Sequence, residues 1–210
     1  MTVIRLAALR VAAVSALLLS TSYAFAQQSP VSNITRVRGT VESLTGENLL
    51  VKSRDGKDVT LHLAQNAGVA GVAKMSLADV KVGSYIGVTS VPASDGSQRA
   101  VEVHVFPEAM RGTGDGTQPW DLKPNSSMTN GAVDDRTVAA NDGHTLTVKY
   151  HGGERKVLVT PDTTVVTFVP AKRSEIKAGT PVFAIATKKP DGTLDVARLS
   201  IGRDGVSPPM

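Results

Sequence analysis

Residues 39–56 read GTVESLTGENLLVKSRDG, and residues 136–153 read RTVAANDGHTLTVKYHGG. Gly46-Glu47-Asn48-Leu49-Leu50-Val51-Lys52 lines up with Gly143-His144-Thr145-Leu146-Thr147-Val148-Lys149, and the pair Thr40-Val41 lines up with Thr137-Val138. The same spacing of 96 to 97 residues recurs further along the chain. Asp79-Val80-Lys81-Val82-Gly83 matches Glu175-Ile176-Lys177-Ala178-Gly179, and Asp95-Gly96 matches Asp191-Gly192. Val101, Val103 and Val105 match Ala197, Leu199 and Ile201. Turns and apolar positions coincide in order, which marks a duplicated unit.

Within each copy the apolar period is 2, the mark of half-buried strands. Val59, Leu61 and Leu63 alternate with Asp58, Thr60 and His62, and Val101, Val103 and Val105 alternate with Glu102 and His104. X-Gly pairs such as Asp55-Gly56, Asp95-Gly96, Asp142-Gly143 and Asp191-Gly192 separate the runs and suit tight hairpins. Predicted strands cover 35–44, 48–54, 57–64, 68–74, 84–91 and 98–106, then 132–140, 145–151, 155–160, 164–169, 180–187 and 194–202. Short helical turns are predicted at Ser76–Val80 and Ser174–Ile176, each opening on a good N-cap residue.

This pattern predicts an all-β protein: two tandem small OB-like barrels after an N-terminal signal peptide. The expected boundaries are a signal at 1–26, a flexible start at 27–34, barrel 1 at 35–106, a structured connector at 107–130, barrel 2 at 131–203 and a tail at 204–210. The copies are expected to superpose strand for strand, with no sheet running through both.

The segments VRGTVESLTGENLLVKSRDGKDVTL (37–61), KMSLADVKVGSYIGVTSVPASDGSQRAVEVHVFPEAMRG (74–112) and VFAIATKKPDGTLDVARLSIGRDGVSPPM (182–210) carry a resemblance. They are similar to a family of exported bacterial proteins of unknown function with OB-like β repeats. The resemblance implies a small barrel outside the cytoplasm and brings no activity or functional residues with it.

The first residues read as a secretion signal. Arg5 and Arg10 precede the apolar run Val11–Leu19, Ala24-Phe25-Ala26 offers a small-x-small cleavage site, and no acidic residue precedes Glu42. The run falls short of the roughly 20 apolar residues a membrane span needs, so the mature chain is expected to begin at Gln27 in the periplasm with no span. Losing Arg5 and Arg10 lowers the formal charge from +4 to +2. A charge of +2 with both signs interspersed is no footprint for nucleic acid, and neither is so low an aromatic content. Cysteine is absent, which rules out disulfides, thiol chemistry and a lipid-modified cysteine.

Residues 107–130 break the β pattern and hold Trp120, the only tryptophan. A connector this long is a linker or a functional loop, and a tryptophan in it either staples the loop down or meets a partner. Stapling is the expectation. The candidate binding residues are Arg111, Asp115, Trp120 and Asp121. The Gly-rich run 111–116 lacks the following helix a phosphate loop needs. His62, His104, His144 and His151 show no metal-ligand spacing, and the first two are expected to point outward. No catalytic elbow, nucleophile or acid–base pair stands out, so no catalytic residue, metal ligand or cofactor is assigned. The expected function is non-enzymatic: binding or scaffolding of an envelope protein or small ligand. The alternative is envelope handling of copper or zinc by His and Met, with Met75, Met110 and Met128 as the relevant methionines.

Overall fold

The structure is a computed structural model and describes residues 33–139 and 143–210. The signal peptide, most of the flexible start and Asp142 lie outside the described residues. Twelve strands follow in order: β1 (Ile34–Thr45), β2 (Asn48–Ser53), β3 (Asp58–Lys74), β4 (Tyr85–Pro92), β5 (Gln98–Val105) and β6 (Gly116–Pro119), then β7 (Ser127–Val138), β8 (His144–Tyr150), β9 (Gly153–Val159), β10 (Thr164–Pro170), β11 (Pro181–Lys188) and β12 (Leu194–Gly202). Single 3-10 turns occupy Leu77–Asp79, Glu108–Met110 and Arg173–Glu175. The protein is all-β, and no described helix is long and apolar enough to cross a membrane.

Three local differences from the sequence reading have simple causes. The runs 57–64 and 68–74 fuse into one 17-residue strand, β3, whereas copy two breaks at the same place. There, Pro161 interrupts the ladder because it lacks an N–H, and the backbone turns, with Thr163 N–H donating to Thr160 O. In copy one Gln65-Asn66 stands at that position and the strand continues. The connector contains an unexpected strand, β6, paired antiparallel to β7. Finally, β7 starts at Ser127, so residues 127–130 belong to the sheet.

The repeat holds at 97 residues for Leu49 and Leu146, both fully buried. In the first strand of each copy the offset drops to 92. Gly39 and Gly131 are the equivalent pair: a Cβ at either would collide with a backbone oxygen, of Lys52 and Lys149 respectively. Val41 and Val133 follow them, facing Val51 and Val148 across the ladder. Val138, matched to Val41 by sequence, is 80% exposed. The longer turn between β7 and β8 absorbs the five-residue difference.

Closure of the strands departs most from expectation. β1, β2 and β3 form a closed five-stranded barrel, but with β11 and β12 of the other copy: β11 lies antiparallel to β1, and β12 runs parallel to β3. Reciprocally, β7, β8 and β9 are joined by β4 and β5 of copy one. The ends of that second set meet at one parallel bridge, Arg99 to Leu158. The partition into barrels at 35–106 and 131–203 is therefore corrected: each copy lends its closing hairpin to the other. The cause lies in β3, whose C-terminal half stays paired with β12 on one edge while its last residues, 70–74, run past β2 and pair antiparallel with β10 on the other, carrying the next hairpin across. One continuous sheet runs through both halves as a result.

The β3–β10 pairing centres on Val72 opposite Phe168, residues 96 apart and thus equivalent in the two copies. Leu199 beside Val69 repeats Val103 beside Val165 at the same offset. The strand pairing is thus symmetric about Val72 and Phe168. Leu49, Leu61, Leu63, Leu199 and Ile201 lead the core of the closed barrel, and Ile86, Val103, Leu146 and Val157 lead that of the second strand set. A third cluster sits between them, built from Val72, Met128, Val166, Phe183, Val206 and Met210, with Trp120 and Phe168 packed against it.

Candidate functional site

Beside this third cluster lies a cleft of about 470 Å³. After residue 26 the chain has six aromatic residues, and four of them line the cleft: Phe106, Trp120, Phe168 and Phe183. Met110, Met128 and Met210 line it as well. Clefts of this size with aromatic walls and few polar groups are the usual form of a small-molecule site.

Gln118, Thr187, Arg198 and Ser200 line one part of the cleft, and a second polar group comes from three neighbouring strands. Pairing places His104 of β5, Gly87 of β4 and Asn130 of β7 in one row across the sheet. Glu102, Thr89 and Met128 form the next row on the same face. His104 Nδ1 lies 2.8 Å from Glu102 Oε1, and Thr89 Oγ1 donates to Glu102 Oε2 at 3.1 Å. Glu102 and Thr89 are fully buried and His104 nearly so. Asn130 Nδ2 donates to Thr113 O at 3.1 Å, and its Oδ1 is buried with no hydrogen-bond partner. Gly87 makes the row possible, because a Cβ there would collide with His104 Nε2 and Asn130 Oδ1 alike.

The expectation that His104 points outward is corrected. It does point away from the Val103 core, but β5 lies between β4 and β10 in the continuous sheet. Its far face is covered by Phe106 and Phe168, whose ring centroids lie 4.7 and 5.8 Å from the imidazole. Alternation placed Glu102 and His104 on one face, but no local signal marks β5 as a central strand.

Of the residues singled out in the connector, Trp120 lines the cleft. Its ring is half-buried, with the Arg36 guanidinium 3.9 Å from the ring centroid. The other three fasten the connector. Arg111 grips Glu108 at 2.6 Å and donates to Gly83 O at 2.8 Å. Asp115 accepts from the Tyr85 hydroxyl at 3.2 Å and from His151 N–H at 2.6 Å. Burial, reinforced by the Asp115 charge, pushes the Tyr85 hydroxyl up to about 12. Asp121 pairs with the buried Arg38 at 2.9 Å. Burial opposes ionisation of Asp121, yet the Arg38 hydrogen bond and charge hold it below its usual range. Arg38 also donates to Met210 O at 2.8 Å, tying the tail against the connector.

A shallow hollow on the closed barrel holds a different polar group. His62 stands between Asp195 at 2.9 Å and Glu47 at 3.1 Å, with Lys189 on the other Asp195 oxygen at 2.6 Å. The Asp195 hydrogen bond, then that of Glu47, raise His62 above its ordinary value of 6.5. A histidine raised on folding adds stability that is full below 6.5 and fades as pH climbs through the folded value. The gap in melting temperature between wild type and His62→Gln should therefore shrink from pH 6 to pH 9. A gap independent of pH would show that His62 carries no charge-dependent contribution. Among the described residues, no three His, Cys, Asp or Glu side chains are grouped to hold a metal ion.

No protein-family model matches the chain, and neither a curated protein nor a solved structure matches it.

Proposed function

We propose that this is an exported, non-enzymatic binding protein of the periplasm, with the aromatic and methionine-lined cleft as its ligand site. The observation that carries this reading is the convergence of four of six aromatics on one cleft in a chain with few aromatics. Large apolar rings gathered around open space are costly to hold unless something fills it. The strand order of the closed barrel, three strands plus a hairpin with one parallel pairing, supports an OB-like reading and the kinship with exported proteins carrying such repeats. The Ala24-Phe25-Ala26 motif supports cleavage and export.

A second reading has one observation in its favour. His104 faces the same cleft as three methionines and hydrogen-bonds a carboxylate through its other nitrogen, the arrangement that orients metal-binding imidazoles. That is the envelope copper-handling alternative.

Native mass spectrometry and elemental analysis of protein purified from its own compartment separate the two. A periplasmic chain starting at Gln27 and carrying a small organic molecule is the expected result. One metal ion per chain would move the assignment to metal handling. Full-length protein held in the cytoplasm would overturn the export reading.

A further inference from the structure

The proton arrangement at His104 and Asn130 narrows the ligand, on the reading that the cleft is the binding site. Glu102 is fully buried, and among the described residues its one cationic neighbour is His104. A net negative charge enclosed this way is heavily penalised, so the pair is held net neutral. With Thr89 donating to Oε2 and Oε1 facing the imidazole, two proton arrangements meet that condition. In one, an imidazolium donates from Nδ1 to the carboxylate. In the other, a protonated Glu102 donates to a neutral ring. In both, Nε2 carries a hydrogen. Whichever holds, His104 offers a donor beside the cleft.

Its neighbour is an acceptor. The Asn130 amide is oriented by the Nδ2 bond to Thr113 O, because a flipped amide would set two oxygens against each other. That leaves Oδ1, buried and unpartnered, beside His104 Nε2 over Gly87. An unpartnered buried acceptor carries a cost that a ligand donor would relieve. Around this pair the walls are Phe106, Phe168 and Trp120, which favour a flat ring.

The geometry points to a flat, uncharged ligand with an amide edge, its carbonyl accepting from His104 Nε2–H and its N–H donating to Asn130 Oδ1. A lactam fused to an aromatic ring has that edge. A carboxylate lacks the donor, and a plain hydrocarbon lacks both groups.

Three probes of similar size test this by calorimetry on the mature protein: 2-quinolone, N-methyl-2-quinolone and naphthalene. The first has both groups, the second lacks the N–H, and the third lacks both. 2-Quinolone should bind about tenfold or more tightly than either of the others, since each unmade buried hydrogen bond costs on the order of a decade in affinity. Its binding should move the His104 Nε2 nitrogen resonance. Asn130→Leu should erase the preference for 2-quinolone over its N-methyl form. Equal affinity for all three probes would overturn the amide edge and leave the cleft standing as an apolar site. No binding of any probe would overturn both readings.

Discussion

Replacing Glu102 by alanine should lower the free energy of unfolding by about 3–5 kcal/mol, the range seen when one partner of a buried charged pair is removed. Glu102 accepts from Thr89 and pairs with His104, and all three are buried on one face of the sheet. The substitution strands two polar side chains and opens a gap between Thr89 and His104. Glu102→Gln keeps the shape and an acceptor, so its loss should be smaller by half or more. Urea unfolding of both variants against wild type measures the difference. A cost under about 1 kcal/mol for the alanine variant would mean that water satisfies the stranded groups, and the neutral-pair argument would fall with it.

The second large effect concerns chain connectivity. A specific protease site placed after Pro124, in the exposed stretch Lys123–Asn125, allows the folded protein to be cut between its copies. The pieces should elute together under native conditions and part only on unfolding. Each piece supplies the hairpin that completes the other's strand set, so neither set is complete alone. Cutting turns an intramolecular assembly into a bimolecular one. With an effective concentration on the order of millimolar, stability at roughly 10 μM should drop by about 3 kcal/mol, and the melting temperature should become concentration-dependent. Had each copy closed on itself, the pieces would separate on a sizing column with little change in melting.

The strands were legible because alternation and X-Gly turns are local signals. Val59-Thr60-Leu61-His62-Leu63 reads as a strand whatever it pairs with, and it is one. Hairpin exchange was not legible. Asp95-Gly96 and Asp191-Gly192 make the same turns whether the hairpin serves its own copy or the other. The misplacement of β7 has a specific origin: Thr137-Val138 imitates Thr40-Val41, whereas the true landmark is a single glycine, Gly131, held against Lys149 O. At the site, Trp120 announced itself as a lone tryptophan. His104, Asn130 and Glu102 did not, because their importance comes from strands that meet only after the copies interlock. Arg111, Asp115 and Asp121, read from the sequence as binding candidates, instead hold the connector to neighbouring strands and turns.

The symmetric strand pairing gives the polar row beside the cleft a counterpart row of different chemistry. At the 96-residue offset, Gly87 answers to Phe183, Glu102 to Arg198 and His104 to Ser200; Phe183 lies opposite Ser200 just as Gly87 lies opposite His104. Asn130 answers to Arg38, each paired to its own counterpart strand at the same rung. Where one copy leaves a hole, the other fills it with a ring. The scaffold is thus doubled without doubling the pocket, because the row of Gly87, His104 and Asn130 has Phe183, Ser200 and Arg38 in its place on the other side. Such a molecule should saturate at one ligand per chain and show no cooperativity within it. A change on either half should alter the same single binding event.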